Sequence, residues 1–322
     1  MLHWSVAADD RTGALETAAE LARSGAPVTV TVRAIAEMAG VVDLGTRACS
    51  VDEATTRVAT LPAAPWVAHK IDSTLRGHWA HELRARQRAL GRRVVVVPAW
   101  PAMGRTCVGG VVHVHGAAFA SVHAALPEAD LLPGAAALDD WLTGDGAFGA
   151  VDVADDHDLS AVASVLARHD VLVAGPAGAI GAAFAARFGD AERVPPPRLE
   201  LPALVVCGSA TAVSRVQVAQ LQRARPDIDV LIAPTADGEL RADVSLTLAD
   251  EANGRLDGVT TLVIIGGDTA AAMLGDAPRR VHGTVLPGLP WSLDEHDGGP
   301  VVVTKAGGFG DEHTLVRLFS SG

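Results

Sequence analysis

Tyrosine is absent from this 322-residue chain, and aromatic residues of every kind make up only 4%. No interleaving of aromatic and basic residues is visible, which removes the usual footprint of a nucleic-acid platform. Positive charge is also short: 26 Lys and Arg stand against 38 Asp and Glu, a formal charge of −12. That balance argues against nucleic acid as a main partner. A small anion is still allowed, because a few arginines in a cleft decide its binding locally. Cysteine is rare. Cys49, Cys107 and Cys207 lie far apart and no CxxC occurs, a pattern that fits reduced, cytoplasmic thiols serving as small buried hydrophobes. No stretch of 18 apolar residues free of charge occurs, so no membrane span is expected. The opening MLHWSVAADD reaches two aspartates before any long apolar run and reads as a first strand rather than a signal peptide. Two nucleotide motifs are missing as well: the strict P-loop, and GxGxxG in the first βα turn. Neither a P-loop ATPase nor a dinucleotide enzyme of the usual kind is favoured.

What is present is apolar residue, 49% of the chain, on a length that makes two domains the prior. Strand and helix patterns alternate. Trp4 to Ala8 reads as a strand, Ala14 to Arg23 as a helix capped by Asp10 or Thr12 and ended by Gly25. Trp66 to Ile71 reads as a strand feeding a helix from about Leu75 to Leu90, and Val94 to Val97 as a buried strand. Val111 to His115 reads as a short strand, and Leu126 to Gly149 as irregular apart from brief helical pieces. Pro195-Pro196-Pro197 marks a linker, which divides the chain into 1–196 and 197–322. The pattern predicts two α/β domains with mostly parallel sheets flanked by helices.

Two polar turns in the first half follow strands, at the edge where open α/β sheets bind ligands. Asp9-Asp10-Arg11-Thr12-Gly13 offers a carboxylate to cap a helix and another to face a substrate. Kinases of many folds use such an aspartate to orient a hydroxyl and take its proton. Lys70-Ile71-Asp72-Ser73-Thr74-Leu75-Arg76-Gly77 offers hydrogen-bonding groups and, in Arg76, a fork that fits a carboxylate. Arg105, in a loop after an apolar strand, completes a pocket suited to a polyhydroxy acid. His113, His115 and His123 show no third ligand by spacing, so a metal site there is not expected.

In the last 120 or so residues a hydrophobic strand runs three times into a glycine-rich turn: Cys207-Gly208-Ser209-Ala210-Thr211, Ile265-Gly266-Gly267-Asp268-Thr269, and Lys305-Ala306-Gly307-Gly308-Phe309-Gly310. Such turns present bare backbone N–H groups to an anion. Lys305 stands where it would neutralise phosphate charge. Asp268 is a candidate Mg²⁺ ligand or a helix cap.

These segments together resemble the four-carbon acid sugar kinases. Ala8-Asp9-Asp10-Arg11-Thr12-Gly13-Ala14 is similar to the family's opening Ala-Asp-Asp-Phe-Thr-Gly-Ala. Lys70 to Gly77 matches Lys-x-Asp-Ser-Thr-Leu-Arg-Gly. Pro98-Ala99-Trp100-Pro101 through Gly104-Arg105-Thr106 follows Pro-Ala-Phe-Pro … Gly-Arg-Thr. Gly208-Ser209 with Gln217, then Gly266 to Ala270, then Lys305 to Gly310 continue in order. The resemblance implies a sugar-acid domain followed by an ATP domain, with the active site in the interdomain cleft. It implies ATP and Mg²⁺ as cofactors and transfer of the γ-phosphoryl group to the acid's terminal hydroxyl, giving a 4-phosphate. Asp9, Asp10, Arg11, Lys70, Asp72, Ser73, Arg76 and Arg105 would line the acid, with Asp10 or Asp9 as base and Arg76 as clamp. Gly208, Ser209, Gly266, Gly267, Asp268, Thr269, Lys305, Gly307, Gly308, Phe309 and Gly310 would line the nucleotide. Family members are often dimeric, so a homodimer is an expectation.

The chain also departs from the family. It is about a hundred residues shorter than familiar members. The family's Thr/Asp-Ser-Arg turn after the third strand is altered to Asp43-Leu44-Gly45-Thr46-Arg47. Arg11 replaces an apolar or aromatic residue, which points to a larger or more acidic substrate. Two alternatives stand beside the kinase reading: a kinase of another small hydroxy acid, and a non-catalytic regulatory protein that binds ATP and a sugar acid.

Overall fold

The computed structural model describes residues 4–22, 26–34, 39–190, 194–234, 242–294 and 299–320. Arg23 and Gly25, expected to end the first helix, lie outside them. Contacts divide the chain into two compact units, Met1–Arg193 and Val194–Gly322. No helix among the described residues is long and apolar enough to cross a membrane.

In the first unit the order is β1 (Trp4–Ala8), α1 (Arg11–Leu21), β2 (Val28–Val32), β3 (Gly40–Asp43), α2 (Val51–Ala59), β4 (Trp66–Lys70), α3 (Trp79–Leu90), β5 (Val94–Val96), β6 (Arg105–Val108), β7 (Val111–Val114), β8 (Ala117–Ser121), α4 (Val122–Ala125), β9 (Asp130–Leu132), α5 (Ala135–Trp141), β10 (Phe148–Val151), α6 (Asp156–Leu166), β11 (Leu172–Gly175) and α7 (Ala177–Phe188). The main sheet runs β2-β3-β1-β4-β11-β5-β10-β9, and every neighbouring pair is parallel. Successive residues of one strand serve opposite layers. Trp66 of β4 meets Phe184 of α7 edge-on, while Val67 joins Trp79 and Leu83 of α3 in a buried cluster. A small antiparallel sheet, β6-β7-β8, stands apart from the main one.

The second unit runs β12 (Ala203–Cys207), α8 (Ala212–Ala224), β13 (Asp229–Ile232), α9 (Ala242–Asn253), β14 (Thr261–Ile265), α10 (Gly267–Leu274), β15 (Arg279–Leu286), β16 (Leu289–Asp294), β17 (Val301–Lys305) and α11 (Thr314–Leu318). Its strand order is β13-β12-β14-β17-β16-β15. The first four are parallel, and β16 is antiparallel to both of its neighbours. Strand residues again alternate. Val205, Cys207, Val263, Ile265 and Val303 pack with Val218, Leu221, Leu315 and Leu318. Leu204, Val206, Leu262, Ile264 and Val302 pack with Leu248, Ala252 and Ala270. Strands covered on both faces read as unbroken apolar runs, which is why these were legible.

Several elements differ from the sequence expectation. Helix α3 starts at Trp79 rather than near Leu75, because Leu75 (φ 61°) and Gly77 (φ 85°) hold left-handed conformations that a helix cannot contain. The stretch expected to hold only brief helical pieces has one in α5, and it also contributes β9 and the start of β10. The hairpin β15–β16 and helix α9 were not foreseen.

One buried ion pair ties the start of α1 to the end of β3. Arg11 Nε donates to Asp43 Oδ2 at 2.8 Å, with side-chain exposures of 3% and 5%. Removing one partner of such a pair leaves an unanswered buried charge. Arg11→Ala is therefore expected to lower the unfolding free energy by about 3–5 kcal/mol, read by urea titration. A loss under about 1 kcal/mol would show that water already answers Asp43.

Candidate active site

Strand β1 lies between β3 and β4, all three parallel, so their carboxyl-end loops open on one edge. The loop after β1 carries Asp9 and Asp10. Asp10 caps α1: Oδ1 accepts from the Gly13 N–H at 2.9 Å and Oδ2 from the Thr12 hydroxyl at 2.9 Å. The loop after β3 is stitched to β1 by backbone bonds, Leu44 N–H to the Ala8 carbonyl and the Thr46 and Arg47 N–H groups to the Asp9 carbonyl. This places Arg47 over both aspartates. Its Nε and Nη2 donate to Asp9 Oδ2 at 2.9 and 2.7 Å, and its Nη1 donates to Asp10 Oδ2 at 2.7 Å. The same guanidinium lies 3.4 Å from Asp72 Oδ2.

Asp72 follows β4 and turns the chain by accepting from the Thr74 N–H and hydroxyl. It also takes two bonds from Arg76, whose side chain is 68% exposed. Burial works against ionisation of Asp72, yet the Arg76 bonds and the Arg47 charge hold its carboxyl well below the usual range. Ser73 is half-buried beside it. Lys70, at the end of β4, is 4% exposed. A Cβ on Gly13 would stand 2.7 Å from Lys70 Nζ, so the ammonium lies against the first turn of α1. Arg105 opens β6 and is buried. It donates to the Met103 carbonyl and lies 3.2 Å from His115 Nε2.

Two carboxyls differ from the rest. Burial pushes Asp9 up to about 7 although Arg47 opposes it, and Asp9 Oδ1 is buried without a hydrogen-bond partner. Burial pushes Glu16, one turn into α1, up to about 8 against the pull of Lys70, and its Oε1 is likewise unpartnered.

Arg11 is corrected by this geometry. The sequence placed it among the acid-binding residues and made it a sign of an unusual substrate; its guanidinium is instead buried against Asp43. Arg47, Glu16 and His115 join the edge in its stead. The sequence carried a signal for Arg47 only, as the last residue of the altered turn after the third strand.

In the second unit β14 lies between β12 and β17, again all parallel. The three glycine turns follow these three strands and touch one another. A Cβ on Gly208 would overlap Thr269 Oγ1, one on Gly307 would overlap Ser209 Oγ, and one on Gly266 (φ 117°) would stand 3.3 Å from the Ser209 nitrogen. The Gly307 carbonyl accepts from the Thr211 hydroxyl at 2.8 Å, the Ser214 hydroxyl at 2.8 Å and Lys305 Nζ at 3.3 Å. Gln217 Nε2 donates to the Phe309 and Asp311 carbonyls at 3.0 and 2.7 Å. Among the described residues, the N–H groups of Ser209, Ala210, Gly267, Asp268, Thr269, Gly307, Gly308 and Gly310 meet no protein acceptor. Such a cradle fits phosphate oxygens.

Lys305 and Phe309 take places other than those expected. Lys305 is fully buried and donates to the Ala306 and Gly307 carbonyls, so it shapes the last turn from beneath. Phe309 is buried as well and anchors that turn. Asp268 is exposed on the first turn of α10, whose cap is Gly266, so it is not the cap. No group of three or more His, Cys, Asp or Glu arranged to hold a metal is found among the described residues.

Two family models match this chain: a sugar-binding N-terminal domain over residues 4–126 and a nucleotide-binding C-terminal domain over residues 232–315. A D-threonate kinase of Cupriavidus necator is 30% identical over 405 aligned positions, covering 98% of this chain and 96% of that protein. The chain belongs to the four-carbon acid sugar kinase family. Family membership makes it a sugar acid kinase. The D-threonate kinase of Salmonella typhimurium is 28% identical over 96% of each protein. Both alignments exceed the chain's own length, so these relatives carry insertions that it lacks. The fold is shared with a solved structure from Salmonella typhimurium LT2 (TM-score 0.76, 21% identity, 98% of each chain). It is shared also with a Bordetella bronchiseptica protein solved as a domain-swapped dimer with bound citrate (TM-score 0.52, 24% identity, 98% of this chain and 97% of that one).

The clash at Gly208 gives a direct test of the cradle. Gly208→Ala must displace Thr269 from the second turn. ATP affinity, read by titration calorimetry, is expected to fall roughly tenfold or more, the scale of a lost charge-assisted hydrogen bond or two. Unchanged affinity would place the nucleotide elsewhere.

Proposed function

We propose that this chain is an ATP-dependent kinase of a four-carbon sugar acid, with D-threonate as the first substrate to test, and that it phosphorylates the terminal hydroxyl to give the 4-phosphate. The first unit takes the acid and the second the nucleotide. The observation that carries the reading is the set of unpaired N–H groups on three touching glycine turns. It has its counterpart in the carboxylate- and guanidinium-lined edge of the other unit.

Each residue's part follows from its bonds. Lys70, Arg105 and the outer side of Arg76 supply positive charge for the acid's carboxylate. Arg47 fixes Asp9 and Asp10 in place. Asp10 is fully engaged as cap and Arg47 partner. Asp9 keeps one oxygen without a partner and titrates near neutrality. We therefore assign Asp9 as the group that aligns the attacking hydroxyl and accepts its proton. The glycine turns hold the phosphates through N–H groups already in place, so catalysis comes from positioning and charge stabilisation. Mg²⁺, when bound with ATP, would neutralise phosphate charge. Asp268 is the exposed carboxylate beside the turns that would hold it. A homodimer belongs to the same reading, with the Bordetella bronchiseptica protein as precedent.

An ADP-release screen over three- to six-carbon aldonic and oxo-aldonic acids tests the activity. Release with four-carbon acids alone is expected. Binding of ATP and acid without ADP would make the protein regulatory. Asp9→Asn is expected to reduce kcat ~10²-fold or more while ATP affinity stays within about twofold, the behaviour of a lost proton acceptor. Asp10→Asn keeps an acceptor for the cap but loses the charge facing Arg47, and is expected to act mainly on stability, by up to about 1 kcal/mol. The reverse ranking of the two in kcat would move the base to Asp10.

A further inference from the structure

Glu16 has no part in the mechanism above, yet it sits under the acid-binding edge. It lies on α1 one turn beyond Gly13, on the same face of the helix. The Lys70 ammonium rests against that face at Gly13. Glu16 is 5% exposed, its Oε1 has no hydrogen-bond partner, and no cation stands within ion-pair distance of it among the described residues. Lys70, for its part, makes no hydrogen bond or ion pair among the described residues. A buried carboxylate that lacks both a donor and a counter-ion keeps its proton.

The charges facing Glu16 come from several elements. Lys70 comes from β4, Asp10 from the cap of α1 itself, Asp72 from the loop after β4, Arg47 from the loop after β3, and Arg105 from β6. Helix α7 also packs on α1, but its buried residues are all uncharged. Asp43, at the end of β3, is taken up by Arg11. Glu82, buried nearby, is hydrogen-bonded to His69. With Asp9 ionised and Glu16 neutral, Lys70, Arg47, Arg76 and Arg105 outnumber Asp9, Asp10 and Asp72 by one. A monoanionic acid then closes the balance. If Glu16 is ionised, that surplus is gone before the substrate arrives.

We propose that Glu16 is an affinity-determining residue of the acid site, a buried neutral carboxylic acid that leaves the Lys70 ammonium unneutralised for the substrate's carboxylate. It acts through Lys70 and is a positioning residue, not a catalytic one. The inference rests on the sugar-acid reading of that edge. The direction in which burial moves Glu16, up to about 8, agrees with it.

The test compares pH dependences in the full-length protein. For the natural protein, KM for D-threonate should rise about tenfold between pH 7 and pH 9, the linkage expected when one ionisation abolishes binding. In Glu16→Gln, whose residue 16 cannot ionise, the ratio of the two KM values should stay within about twofold, the part left to Asp9 as it completes its ionisation over the same range. A second readout needs no variant: at pH 8.5, calorimetry in buffers of different ionisation enthalpy should show proton uptake when D-threonate binds. A third needs no substrate. A carboxyl whose folded pKa exceeds its unfolded value loses stability as pH rises between the two values. The Tm of Glu16→Gln should therefore gain on that of the natural protein from pH 5 to pH 8 and level off above. Parallel KM profiles, no proton uptake, or a Tm difference constant with pH would each overturn the proposal. If no acid is phosphorylated or bound while the Tm gap still opens with pH, the neutral Glu16 stands and the sugar-acid reading is what fails.

Discussion

Parallel strand pairing is the constraint on which both ligand edges depend. In a parallel sheet each strand must be returned to the same end before the next begins. The loops that follow neighbouring strands therefore collect along one edge. In the first unit the neighbours β3, β1 and β4 deliver Arg47, the two aspartates and Asp72 to one place. In the second, β12, β14 and β17 deliver three glycine turns. Residues more than thirty positions apart in the chain meet because hydrogen-bond ladders hold their strands in register.

The two edges handle charge in opposite ways. The first is dense with ionised side chains that answer one another. Arg47 bridges Asp9, Asp10 and Asp72, and Arg76 doubles on Asp72. The bonds around Arg47 and Arg76 offset much of the desolvation of these carboxylates, while Asp9 Oδ1 and Lys70 stand outside that network. The second edge achieves its positive character with backbone dipoles. Its one lysine, Lys305, is spent internally on carbonyl groups. An anion binding there meets N–H groups that have no other partner, while an acid binding at the first edge must fit into a network already in equilibrium.

Much of this was legible from the sequence, because local signals carried it. Apolar runs stopped by glycine turns marked β12, β14 and β17. The Asp9-Asp10 pair before a helical pattern marked the cap of α1. What was not legible depended on partners distant in sequence. Arg11 reads as a substrate-facing cation until Asp43, 32 positions away, is found beside it in the interior. Arg47 reads as a loop arginine until its loop is sewn to β1. The late start of α3 turns on left-handed φ values at Leu75 and Gly77, and leucine gives no local hint of that conformation. The hairpin β15–β16 hides behind Pro287-Gly288, which punctuates the sequence without revealing that both flanks pair.

The Gly307 carbonyl is gripped by three donors, Thr211, Ser214 and Lys305. That carbonyl and the amide of Gly308 belong to one rigid trans plane, in which C=O and N–H point in opposite directions. Fixing the oxygen inward thus aims the hydrogen outward at an exposed residue. The turn behaves as a lever with its inner arm bolted down. Residues that never meet a ligand decide the heading of the atom that does.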